Sequence, residues 1–227
     1  MNNSIFNLLN SKNIFVIDKT FSKSDYIEID LSASNEALNK INVNAPKEME
    51  QYINKFTKSK KARIAIGGYL ETRNLYKRSK YFHEQKNPSD ERNIHLGVDI
   101  WATSGTKVLA ALDGVVHSFK NNTNHGDYGP CIILKHRLDE SVFYTLYGHL
   151  SLDSIKDIKI AQSVKQGDEI AQLGDSSVNG DYAPHLHFQI IKDMQNNLGD
   201  YPGVCSLNKL DFYKENCPNP MVLLEIY

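Results

Sequence analysis

Two short words constrain this chain more than any other feature. In His95-Leu96-Gly97-Val98-Asp99 and in His185-Leu186-His187 with its continuation Phe188-Gln189-Ile190, polar and apolar residues alternate. Side chains in a strand point to opposite faces in turn, so residues i, i+2 and i+4 look the same way. Read as strands, His95 and Asp99 share one face with Leu96, Val98 and Ile100 on the other. His185, His187 and Gln189 share a face of the second strand, opposite Leu186, Phe188 and Ile190. Each segment thus offers an apolar face to a core and a metal-competent face to a cleft. Two neutral imidazoles and one carboxylate leave the fourth position of a tetrahedral zinc site open, whereas structural zinc sites are closed by four protein ligands, often thiolates. Cys131, Cys205 and Cys217 show no CxxC-like spacing and are read as buried thiols. Imidazole and carboxylate ligands also accept other divalent ions.

The chain around these words reads as short strands and turns. From Ile94 to Ile191, apolar runs of strand length alternate with turns such as Asp113-Gly114 and Gln166-Gly167, the pattern of a mostly antiparallel sheet. Tyr144–Leu150 is a strand in this reading, with Phe143, Thr145, Tyr147 and His149 on one face and His149 at its end. His83, His117, His125 and His136 are read as packed or solvated rather than as site residues. The expected organisation is an N-terminal extension over 1–62, a β domain over 63–192 and a C-terminal extension over 193–227 packed on the core. In the extension a strand is expected at Ile14–Ile17 and a helix from Pro46 to Phe56. Proline suits a first helical turn, and Glu48 and Glu50 follow closely. The fold class is mostly β, an antiparallel folded sheet with a small α-containing N-terminal extension.

The words HLGVD, Tyr147-Gly148-His149-Leu150 and HLHF, in this order, resemble the lysostaphin-type (LytM-like) zinc metallopeptidases, many of which cut the peptide cross-links of bacterial peptidoglycan. The resemblance extends to Ser104-Gly105-Thr106-Lys107-Val108 through Asp113-Gly114-Val115-Val116, and to Lys165 through Asp175, two segments similar to hairpins of that family. It covers about residues 92–192. It implies the duplicated-hybrid β architecture, one Zn2+ per chain held by His95, Asp99 and His187, and His149 and His185 as the two catalytic histidines. The chemistry implied is hydrolysis of peptide bonds by metal-activated water, with proton traffic shared between the two histidines. Upstream, Gly67-Gly68-Tyr69-Leu70-Glu71-Thr72-Arg73 resembles the sequence ahead of the zinc motif in an intracellular group of LytM-like proteins, some fused to a small-molecule kinase and an aminotransferase. That resemblance makes Tyr69, Glu71 and Arg73 candidates for substrate recognition beside the metal. A guanidinium can hold a carboxylate in a bidentate fork.

Composition narrows the partners. The formal net charge of the 227 residues is −1, which gives no footprint for nucleic acid or an anionic membrane. No apolar run approaches the length that spans a bilayer. Met1-Asn2-Asn3-Ser4-Ile5-Phe6-Asn7 has neither a basic region nor a continuous apolar one, so a cytoplasmic location is expected, with export without a cleaved signal as the alternative. The expected partner is a peptide or a peptidoglycan fragment. Two other readings stand beside the endopeptidase: an intracellular zinc amidohydrolase acting on a small peptide or amide, and a zinc-containing binding or regulatory module without turnover.

Overall fold

A computed structural model describes residues 14–79 and 87–224. His83 and the first thirteen residues lie outside the described part. The strands, in chain order, are β1 (Tyr26–Glu28), β2 (Ile64–Gly67), β3 (Ile94–His95), β4 (Val98–Trp101), β5 (Lys107–Leu109), β6 (Gly114–Asn122), β7 (Gly129–Leu138), β8 (Ser141–Gly148), β9 (Ser163–Val164), β10 (Glu169–Gln172), β11 (His185–Ile191) and β12 (Val204–Cys205). Eight of them form one sheet in the order β1-β2-β4-β11-β8-β7-β6-β9. Every pairing in it is antiparallel except β1 with β2, which is parallel. Two small antiparallel sheets, β5 with β10 and β3 with β12, flank it.

The alternation read in β11 and β8 sorts the main sheet into two faces. Leu186, Phe188 and Ile190 of β11 join Ile132 and Leu134 of β7 and Phe143 and Tyr147 of β8 in the larger core, together with Val108 and Ala171 of the small β5–β10 sheet. Ile191, Leu146, Ile133 and Cys131 point to the other face. There they pack with Ile94, Leu96, Tyr201, Cys205 and Cys217, which are contributed by the β3–β12 side and the C-terminal tail. His185, His187 and Gln189 have the parity of Ile191 and therefore stand on this second face.

The helix α1 runs over Pro46–Ser59, three residues beyond the expected end. Pro46 is in its first turn, and Met49, Ile53 and Thr57, spaced one turn apart, form its buried side. Met49 and Ile53 meet Ile29, Leu31, Ala65, Trp101 and Ala183 in a separate apolar cluster. The C-terminal tail carries α2 (Leu210–Asn216) and α3 (Met221–Leu224). Among the described residues, no helix is long and apolar enough to cross a membrane.

Three local expectations are corrected. Ile14–Ile17 contributes a single bridge, Ile17 with Val108, in place of a strand, although Ile14, Val16 and Ile17 are all buried in the larger core. The Asp113-Gly114 and Gln166-Gly167 turns do not close hairpins. The strands on either side of each turn pair across to those of the other, β5 with β10 and β6 with β9. The Asp113 carboxylate explains the exchange, since it accepts from the Gln166 N–H at 2.8 Å and from Lys165 Nζ at 3.2 Å, binding turn to turn. Finally, the HLGVD word is not one strand. β3 belongs to a small sheet and β4 to the main sheet, so Leu96 packs on the second face while Val98 and Ile100 pack in the larger core.

Candidate metal centre

His95 and Asp99 come together because the chain changes sheets between them at Gly97. A Cβ on Gly97 would stand 2.7 Å from the Phe188 carbonyl oxygen and 2.8 Å from the His187 ring, so only glycine lets this turn press against β11. β4 then pairs with β11 with Asp99 directly opposite His187. The outcome is a triangle of buried atoms. His95 Nε2 lies 2.8 Å from His187 Nδ1, and Asp99 Oδ1 lies 3.3 Å from each.

Hydrogen bonds fix which atoms these imidazoles present. His95 Nδ1 donates to the Gly68 carbonyl at 2.9 Å, and His187 Nε2 donates to Gln189 Oε1 at 3.0 Å. The Gln189 amide is held in that sense because its Nε2 donates to the Pro202 carbonyl and to Cys217 Sγ, each at 3.2 Å. A carbonyl oxygen only accepts, so the opposite nitrogen of each neutral ring carries a lone pair. Two lone pairs and a carboxylate oxygen therefore face one another, all on residues no more than 2% exposed. Asp99 Oδ1 has no hydrogen-bond partner among the described residues. Such an arrangement is costly unless a cation stands at its centre, and these three residues form the cluster able to hold one. The donor set of two imidazoles and one carboxylate fits zinc.

The surroundings hold the triangle in this state. Burial pushes His95 down to about 4 against the pull of Asp99, so the ring is neutral. Asp99 resists its own burial through His95 and Arg73 and stays well below the usual carboxylate range. Its second oxygen, Oδ2, accepts from Arg73 Nη1 at 2.5 Å.

Two further histidines face the centre. His185 follows from the alternation of β11, and its Nε2 stands 3.7 Å from Asp99 Oδ1. The expectation that His149 shares a face with Phe143, Thr145 and Tyr147 is corrected. Tyr147 points into the larger core, whereas His149 lies one residue past β8 with φ +64°, a left-handed backbone that breaks the alternation. Its ring reaches the second face, with its centroid 4.2 Å from that of His185. His149 Nδ1 donates to the Asn179 carbonyl at 2.7 Å and His185 Nδ1 to the Ala183 carbonyl at 2.8 Å. Both rings therefore present Nε2 as an acceptor. Burial drives His149 well below its ordinary value and lowers His185 too, so both stand neutral. Trp101 stacks on His185 at 5.7 Å, and Tyr182 meets His149 edge-on at 5.0 Å.

The Tyr69–Arg73 word is placed differently from its expected role. The Tyr69 hydroxyl is spent on the Cys217 carbonyl at 2.8 Å. Glu71 accepts from the Leu31 N–H at 2.8 Å and from Arg73 Nε at 2.5 Å. Of the three, only Arg73 lines the cleft over the centre; its Nη1 and Nε are bonded to Asp99 and Glu71, while Nη2 has no hydrogen-bond partner among the described residues. Asp99 lies 26 residues away in sequence, which is why the word alone gave no sign of the contact. Gln189 was visible by its parity with His187, but its hydrogen bond was not. His136 lies on the larger-core side, with Nδ1 donating to the Asp113 carbonyl and Nε2 2.7 Å from Thr145 Oγ1. His117 lies beside Ser118, and His125 is exposed near Asp181.

A buried pair of imidazoles and a carboxylate, with two neutral histidines beside them on an antiparallel sheet, forms a candidate metal centre. Residues 93–198 match the model of peptidase family M23, so this segment is similar to that metallopeptidase family. It is 35% identical over 98 residues to the peptidoglycan DD-endopeptidase ShyC of Vibrio cholerae, covering 43% of this chain and 20% of that protein. It is 34% identical over 95 residues to an uncharacterized metalloprotease of Haemophilus influenzae, covering 42% of this chain and 18% of that protein. The chain thus spans about a fifth of the length of these curated relatives. Among solved structures, the catalytic domain of lysostaphin from Staphylococcus simulans is 27% identical and covers 54% of this chain and 80% of that one, with a TM-score of 0.37.

Proposed function

We propose that this chain is a zinc-dependent peptidase that hydrolyses amide bonds in peptidoglycan-type peptides, with one zinc held by His95, Asp99 and His187. The observation that carries this reading is the convergence of three proton-free atoms, each 2.8–3.3 Å from the next, one of them a buried carboxylate oxygen with no other partner among the described residues. When bound, zinc lowers the pKa of its water toward about 7 and polarises a substrate carbonyl.

The side chains supply the rest. His149 and His185 each keep a proton on Nδ1, pinned to a backbone carbonyl, and hold Nε2 free toward the cleft. Either Nε2 can accept the proton released during attack on the amide and return it to the departing amine. With the ring centroids 4.2 Å apart, a charge on one ring opposes a charge on the other, so the pair takes up one further proton between them beyond the two held on Nδ1. Proton transfer of this kind contributes roughly 10²–10⁴-fold. A non-catalytic module has no use for two buried, neutral imidazoles with free acceptors facing the same cleft.

The test is incubation of the full zinc-loaded chain with soluble muropeptides, followed by mass spectrometry with a chelated control. Chelator-sensitive cleavage of an amide is expected. Bound zinc with no product, or undiminished turnover by a His149→Ala protein that retains zinc, would overturn the proposal.

A further inference from the structure

Nearly half of the residues that line the cleft over the centre lie outside the family-matched segment. Leu31 and Met49 line it from the N-terminal side, with Arg73 and Leu75 behind them, and Tyr201 and Val204 line it from the C-terminal side. Its volume is about 170 Å³, below the roughly 300–1,000 Å³ of ordinary small-molecule clefts. At its floor, His149 and His185 are each 6% exposed and the three candidate ligands 1–2%. A scissile amide must therefore be brought down between these walls to reach the histidines.

The N-terminal wall is registered to the centre. The Leu31 N–H donates to Glu71, Glu71 holds Arg73, and Arg73 holds Asp99. A continuous chain of polar contacts thus runs from the backbone of the wall to a candidate metal ligand. The apolar side of the wall is tied in as well. Leu31 and Met49 pack with Trp101 and Ala183 in one cluster, and Trp101 stacks on His185. Residues from the N-terminal region therefore shape the space where the substrate must lie.

Resting on the peptidase reading above, we infer that Leu31 and Met49 are specificity-determining residues that restrict the enzyme to short, uncross-linked peptides, or to the free end of one, with an apolar group packed beside the scissile amide. A peptide bonded to a second strand on both sides of the amide carries bulk that this cleft has no room to pass.

The test compares three probes with the full zinc-loaded chain: monomeric muropeptides, cross-linked dimeric muropeptides and intact sacculi. Monomers are expected to be cut with kcat/KM at least ~10-fold above dimers, and sacculi are expected to release no product. Dimers or sacculi cut as fast as monomers would overturn the inference and leave the peptidase reading standing. If all three survive while zinc is bound, the peptidase reading fails and the inference falls with it. Met49→Ala and Leu31→Ala, with zinc content and circular dichroism confirming the fold, are expected to raise dimer cleavage relative to monomer cleavage. Equal loss on both probes would overturn the assignment of specificity to these two residues.

Discussion

Arg73 takes the outer oxygen of Asp99, at 2.5 Å from Oδ2, and leaves Oδ1 to face His95 and His187. The guanidinium thereby sets the carboxylate plane and reserves one oxygen for the centre. Arg73→Gln keeps a donor but loses the charge and reach. Partners of this kind typically account for 10–100-fold in metal affinity, so zinc competition against a chromogenic chelator should show a weakening of that size. An unchanged zinc Kd would mean that Asp99 is oriented without Arg73.

Gln189 makes a parallel case through a neutral group. Gln189→Leu removes the acceptor for His187 Nε2–H and frees that ring to take the other tautomer. The part-buried Pro202 carbonyl loses its donor and the buried His187 N–H is left with only the Tyr128 hydroxyl at 3.5 Å, a loss of about 1–3 kcal/mol. The expected outcome is a lower melting temperature together with weaker zinc binding. A loss of stability with zinc affinity intact would confine Gln189 to packing.

Gly97→Ala tests the close approach of the turn to β11. The new methyl must displace the Phe188 carbonyl or the His187 ring, both less than 3 Å away. Overpacking of this kind costs about 1–3 kcal/mol, readable by denaturant titration of the zinc-free protein. Stability equal to wild type would show that the turn has room to give.

His136 gives a pH signature independent of the metal centre, because it stands on the other side of the sheet. Burial lowers its pKa in the folded state below the ordinary histidine value, against the pull of the Asp113 carbonyl. The unfolded chain therefore binds more protons than the folded one as pH drops below about 6.5. Its contribution to stability is present above that pH and is lost as pH falls toward the folded value. Melting curves of the zinc-free protein should show a shallower decline between about pH 6.5 and 5 for His136→Gln than for wild type. Parallel declines would contradict this.

The parts of the site that strand alternation controls were legible before any coordinates. His185, His187 and Gln189 fall on one face of β11 as period two requires, with Phe188 and Ile190 in the core behind them. What stayed hidden depends on backbone sign and on distant partners. Nothing in Tyr147-Gly148-His149 announces that φ turns positive at the histidine, yet that single residue carries its ring to the other side of the sheet. Gly97 reads as filler within HLGVD until β11 is known to lie against it. The Arg73 guanidinium looks outward-bound in its own word because Asp99 is met only after folding. The two glycine turns had the right strands but the wrong mates, since the exchange rests on an Asp113 contact to residues more than 50 positions away.

That exchange of mates has a consequence for the order in which the molecule assembles. Leu109 of β5 waits for Glu169 of β10, about 60 residues later in the chain, and Gly114 of β6 waits for Val164 of β9 across a gap of about 50. Neither turn can be completed by its own neighbourhood, as a true hairpin can, and each closure brings the other within reach. The two crossings therefore form a clasp of long-range pairings, whereas β6, β7 and β8 pair through contacts close in sequence. A chain that ends before residue 163 holds β5 and β6 but neither β9 nor β10 to pair with them.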